Sequence, residues 1–223
     1  MRKFLFIACL IVPILSCAQS GGTPIFSINN GIISSNSQFI DDFWDSQWAN
    51  SLTYTASNPI SVQVENVVYT VKTAKFTGWE ADPAYNVIEI SRNNQVVFVR
   101  KQEDAFKKLT YLREYADNDY FITVPLSNEA TALIFAGWNY ASNPEQFLIV
   151  VLTESDAKIV YSKSTDIKSI TQSGYNFSMI IQSNELEYVV GIGEVGTPIT
   201  HTIYQQNGVL YFEDIFTTGI VPR

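Results

Sequence analysis

Residues 147–152 read Phe147-Leu148-Ile149-Val150-Val151-Leu152. Successive side chains on a strand point to opposite faces, so a strand with one wet face alternates apolar and polar residues. A strand with no polar position needs cover on both faces. Leu133-Ile134-Phe135 and Val96-Val97-Phe98-Val99 read the same way. These runs predict sheets stacked on sheets.

Working outward, short runs of Val, Ile, Phe, Tyr and Thr alternate with turn residues from Asn58 onward, which is the pattern of a strand-rich domain. Three units emerge. The first predicts strands near Ile60–Glu65, Val67–Phe76, Val87–Ser91 and Gln95–Lys101. The second predicts Asp119–Pro125, Ala130–Ala136, Phe147–Thr153 and Ala157–Ser162. The third predicts Asn176–Gln182, Leu186–Gly191, Thr200–Tyr204 and Val209–Glu213. Self-similarity supports the division: Ser127-Asn128-Glu129 recurs as Ser183-Asn184-Glu185, and Gly78-Trp79 matches Gly137-Trp138. Turns are expected at Arg92-Asn93-Asn94, Thr153-Glu154-Ser155-Asp156 and Gln205-Gln206-Asn207-Gly208. The expected fold is all-β: about three tandem four-stranded antiparallel meanders, stacked as a sandwich or a propeller-like assembly.

One or two short helices accompany the sheets. Ile40, Trp44 and Trp48 recur at helical spacing within Ser35–Ser51, with Ser35 and Gln38 placed for a capping box. A second helix is expected near Glu103–Tyr115, where Phe106, Leu109 and Leu112 keep a spacing of three. The expected organisation is a leader over 1–18, a flexible lead-in plus the first helix over 19–56, and the β-repeat domain over 57–223.

The leader begins with Arg2 and Lys3, continues through the apolar stretch Phe4–Leu15 and closes on Ser16-Cys17-Ala18. This is the layout of a secretory signal peptide. Two cuts are open: after Ala18, giving a soluble protein, or before Cys17, leaving a lipidated cysteine. The leader, ending Cys17-Ala18-Gln19, resembles those of exported proteins of Gram-negative bacteria, Bacteroidetes among them. That resemblance implies an extracytoplasmic address: periplasm, outer membrane, cell surface or secretion. Any membrane attachment is expected only through a lipid on Cys17. The remaining cysteine, Cys9, lies in the leader, so no intramolecular disulfide is expected in the mature chain.

Composition narrows the function classes. The 223 residues carry a formal net charge of −8, which becomes more negative once Arg2 and Lys3 leave with the leader. Such a chain repels phosphate backbones, and nucleic acid is not an expected partner. The single histidine, His201, excludes multi-histidine metal centres. In Ile199-Thr200-His201-Thr202-Ile203 it shares a face with two isoleucines and reads as a sheet-face residue, although any Ser-His-Asp triad would have to use it. Gly191, Gly193 and Gly196 spell a dinucleotide fingerprint, but a strand follows where the motif needs a helix. The carboxylates around Asn118 (Glu114, Asp117, Asp119) and the pair Glu80 and Asp82 read as solvated turns. No metal and no cofactor is expected.

The candidate ligand-binding residues are Trp79, Tyr85, Trp138 and Tyr140, aromatics on equivalent connections of the first two units. Flat aromatics flanked by Asp, Asn and Glu suit a sugar ring, with CH groups over the ring face and polar groups for the hydroxyls. The functional expectation is an exported, non-enzymatic β-domain that binds an envelope or extracellular partner, protein or glycan, through its loop edge. The alternatives are a carboxylate-based glycoside hydrolase and a purely structural envelope lipoprotein.

Overall fold

A computed structural model describes residues 21–41, 51–78, 84–107, 118–136, 146–189 and 193–214. The described chain is all-β. Three short strands come first: β1 (Thr23–Pro24), β2 (Phe26–Asn29) and β3 (Ile32–Ser35). Next follow β4 (Ser57–Val64), β5 (Val67–Ala74), β6 (Ala84–Arg92) and β7 (Gln95–Lys107), a four-stranded antiparallel meander. A second meander comprises β8 (Ile122–Pro125), β9 (Ala130–Ala136), β10 (Gln146–Thr153) and β11 (Ala157–Ser164). The third comprises β12 (Asp166–Ser173), β13 (Asn176–Val189), β14 (Gly193–Gln206) and β15 (Val209–Asp214), with β1 added beyond β15.

The second meander is the middle layer, and β10 shows why. Phe147, Ile149 and Val151 join one core with Met179, Ile181, Ile203 and Leu210 of the third meander. Leu148, Val150 and Leu152 join a second core with Tyr69, Val71, Ile88 and Ile90 of the first. These six side chains, Phe147 to Leu152, are each no more than 1% exposed. The apolar run is therefore accounted for by sheets on both sides, as the absence of a polar position requires.

Four local expectations are corrected. The lead-in is not flexible from Thr23 onward: Ile25, Phe26 and Ile33 are buried in the first core. Asn30-Gly31 turns the β2–β3 hairpin, and the Ile25 amide donates to the Leu210 carbonyl at 2.8 Å. The helix expected over Ser35–Ser51 does not begin at Ser35. Asn36, not Ser35, accepts from the Gln38 amide and caps a single 3-10 turn, Ser37–Phe39. Ile40 then leaves in extended conformation to bridge Ser162; 42–50 lie outside the described residues. In the second expected helix, residues 103–107 belong to β7, where Phe106 pairs with Tyr85 and Lys107 with Ala84. Cross-strand pairing overrides the spacing of three there, and 108–117 lie outside the described residues.

The third unit differs most. Its expected first two strands are one strand, β13, and β12 precedes them. Ser183-Asn184-Glu185 consequently lies within β13, opposite Ile199, Pro198 and Thr197, whereas Ser127-Asn128-Glu129 is the turn between β8 and β9. The two triplets are not structural equivalents.

Candidate functional site: a polar pocket on the turn edge

The tight turns gather at one end of the stack. Asn30-Gly31, Asn93-Asn94 and Asn207-Gly208 each hold two residues at positive φ, between 49° and 79°. That backbone matches the right-handed twist of a two-residue hairpin, and asparagine and glycine tolerate it best. Glu65 stands at φ 50° in the β4–β5 turn, an uncommon place for a long side chain.

Hydrogen bonds stitch turn to turn. The Tyr69 hydroxyl donates to the Thr153 carbonyl at 2.7 Å, and Arg92 donates to the Glu154 carbonyl at 2.7 Å. Thr153 Oγ1 donates to the Gly31 carbonyl and accepts from the Asp156 amide at 3.0 Å. Asp156 Oδ2 accepts from the Ile33 amide at 3.0 Å. Gln205 Nε2 donates to the Leu126 carbonyl at 2.8 Å, and the Tyr175 hydroxyl donates to Asn128 Oδ1. Contributions from all three meanders and the N-terminal hairpin thus fix one rim.

Within that rim lies a pocket of about 780 Å³, lined by the turns at Asn30-Gly31, Glu65, Ser127–Glu129, Thr153–Ser155 and Asn207-Gly208. Its volume falls in the range of small-molecule sites. The lining combines carboxylates (Glu65, Glu129, Glu154), amides and hydroxyls, with Ile28 and Val209 as its apolar members. Among the described residues, no lysine, arginine, histidine or cysteine lines it. Among the described residues, no three His, Cys, Asp or Glu side chains gather as a metal site.

Of the four sequence-based aromatic candidates, Tyr85 is among the described residues. Trp79, Trp138 and Tyr140 lie outside the described residues, as do Cys17, Glu80, Asp82, Glu114 and Asp117. The strand ends flanking the aromatic connections, Ala74 of β5 and Ala136 of β9, lie away from the turn edge, because each strand runs from a turn to the other end of its sheet. Tyr85 is corrected from loop aromatic to core residue. It is 3% exposed, packs edge-to-face on Tyr120 with centroids 5.7 Å apart, and donates its hydroxyl to the Tyr120 carbonyl at 2.8 Å. Burial pushes its phenol well above the usual range. Asn118 is a local cap, its Oδ1 accepting from the Tyr120 and Phe121 amides at 2.8 and 3.0 Å. Of the pocket's turns, Thr153–Ser155 and Asn207-Gly208 are expected from the sequence, whereas Glu65 is expected in a strand and Asn30-Gly31 in a flexible lead-in. Their convergence depends on how the sheets stack and is not legible in the sequence.

His201 lies on the inner face of the third meander, opposite Ile181 and Asp214. Its Nε2 is 2.9 Å from Ser183 Oγ and its Nδ1 is 2.7 Å from Asp214 Oδ1. The Gly191, Gly193, Gly196 spacing leads into β14, which begins at Gly193, and not into a helix.

Comparison with protein-family models, curated proteins and solved structures finds no match to this chain.

Proposed function

We propose that this is an exported β-sheet protein whose turn edge binds a hydroxyl-rich ligand, a glycan, in the pocket among the hairpin turns. The observation that carries this reading is the pocket's chemistry: carboxylate, amide and hydroxyl groups on turns already tied to one another. Sugar hydroxyls donate to carboxylates and exchange hydrogen bonds with amides, and groups held in place before binding lose little entropy on binding. Export is proposed from the 1–18 leader, with Cys17 as the point of lipid attachment if the second cut is used.

A glycan array with the purified mature protein tests the reading, alongside Asn128→Ala and Glu129→Gln. Specific signals lost in both variants would support it. A blank array from folded protein would overturn the glycan reading and leave an envelope protein as the partner to seek. Glu65, Glu129 and Glu154 on one rim also keep a carboxylate-based glycosidase in view. A pH–rate profile on chromogenic glycosides distinguishes it from binding alone.

A further inference from the structure

We propose that Ser183, His201 and Asp214 form a second site, a nucleophilic triad that cleaves neutral carboxylic esters. None of the three lines the turn-edge pocket, so this inference is independent of glycan binding. The strands place the groups in order. His201 on β14 stands opposite Asp214 on β15, and Ser183 on β13 is two residues beyond Ile181, the other partner of His201. Residues two apart on a strand share a face, so all three side chains meet on one surface.

The hydrogen bonds fix the tautomer. A carboxylate only accepts, so the 2.7 Å contact has Nδ1–H donating to Asp214 Oδ1. In the neutral ring, Nε2 then carries a lone pair toward the Ser183 hydroxyl, which donates to it across 2.9 Å. The Phe212 ring packs on the imidazole with centroids 4.7 Å apart, restricting its plane. The His201 side chain is 11% exposed while that of Asp214 is 52% exposed. Here both nitrogens are engaged in the order that activates a hydroxyl.

The reaction follows from that order. Ser183 Oγ bonds to the ester carbonyl carbon as its proton passes to His201 Nε2. The carbonyl carbon–alkoxy oxygen bond breaks, and His201 returns the proton to the departing alkoxide, giving an alcohol. Water then attacks the acyl-serine with His201 again as base. The carboxylic acid leaves and the serine is restored, so ester and water become acid and alcohol. Asp214 is the positioning residue. Phe212 beside the imidazole and Ile199 opposite Ser183 favour an apolar acyl group, and the chain's net charge of −8 disfavours anionic substrates.

The test combines a fluorophosphonate probe with 4-nitrophenyl butyrate hydrolysis on the wild-type chain, Ser183→Ala, His201→Gln and Asp214→Asn, with folding checked by circular dichroism. The expected result is a single adduct mapped by mass spectrometry to Ser183 in the wild type, which requires no variant to fold. Hydrolysis should fall about 100-fold or more in Ser183→Ala and His201→Gln. Asp214→Asn should lower kcat with KM unchanged, and Asp214→Glu should restore part of that loss; a purely structural carboxylate would produce no such split between kcat and KM. An unlabelled Ser183 in folded wild-type protein, or hydrolysis unchanged in Ser183→Ala, would overturn the proposal.

Discussion

The hydroxyl of Tyr69 on β5 donates to the main-chain carbonyl of Thr153, 2.7 Å away at the end of β10. Tyr69 is fully buried, so this bond ties the outer sheet to the middle one where the pocket rim begins. Burial raises the Tyr69 phenol, with Arg92 opposing that rise, and the group remains a neutral donor at physiological pH. Tyr69→Phe leaves the Thr153 carbonyl short of its donor while keeping the ring. The expected cost is about 1–2 kcal/mol, read as a lower urea midpoint with an unchanged slope.

Glu65 offers a separate test of the rim. Its φ of 50° lies in the left-handed region, which costs a side chain such as glutamate about 1–2 kcal/mol. Glu65→Asn should raise stability by about 1 kcal/mol, since asparagine tolerates that backbone better. If the Glu65 carboxylate accepts ligand hydroxyls, the same variant should bind the glycan more weakly. Chemical denaturation and calorimetry on one preparation check both outcomes.

The middle-layer position of β10 makes its two faces equivalent in cost. Ile149 packs toward the third meander and Leu148 toward the first. Ile149→Ala and Leu148→Ala should each destabilise by about 2–5 kcal/mol. A sheet covered on one face would show that penalty in only one of the pair. Denaturant unfolding of the two variants separates the cases.

Those β10 residues also show what the sequence made legible. A run with no polar position demands cover on both faces, so the first two meanders and the stacking are legible in the sequence. The third meander resisted because β12 buries Ile167 and Ile170 among exposed residues such as Lys168, Ser169 and Thr171, giving little apolar contrast. The N-terminal hairpin resisted because Gly, Ser, Thr and Asn composition hides Ile25, Phe26 and Ile33. Among the candidate aromatics, Tyr85 was misassigned: adjacency to a connection says nothing about which face its side chain takes. The Ser183–His201 contact is not legible for a related reason. It depends on the pairing of β13 with β14, and the expected strand break after Gln182 obscured that register.

Alkaline pH should weaken the fold through Tyr54. Burial, then the hydrogen bond to Glu89 and the charge of Glu89, push its phenol from 10.0 up to about 12. The hydroxyl donates to Glu89 Oε2 at 2.8 Å. The folded chain therefore keeps a proton that the unfolded chain releases near its ordinary pKa. Stability is fully present below that value and is lost as pH rises toward 12. Burial also raises Tyr161, which adds to the decline. Urea midpoints between pH 10 and 12 should fall for the wild type and fall less steeply for Tyr54→Phe.

The central claim is that ligand binds among the hairpin turns and not on the connections that carry Trp79 and Trp138. Calorimetric titration of one array-selected glycan into the wild type, Asn128→Ala and Trp79→Ala addresses it directly. Asn128→Ala is expected to weaken binding at least tenfold, equivalent to about 1.4 kcal/mol, while Trp79→Ala is expected to bind as the wild type does. Binding retained in Asn128→Ala and lost in Trp79→Ala would contradict it and move the site away from the hairpin turns.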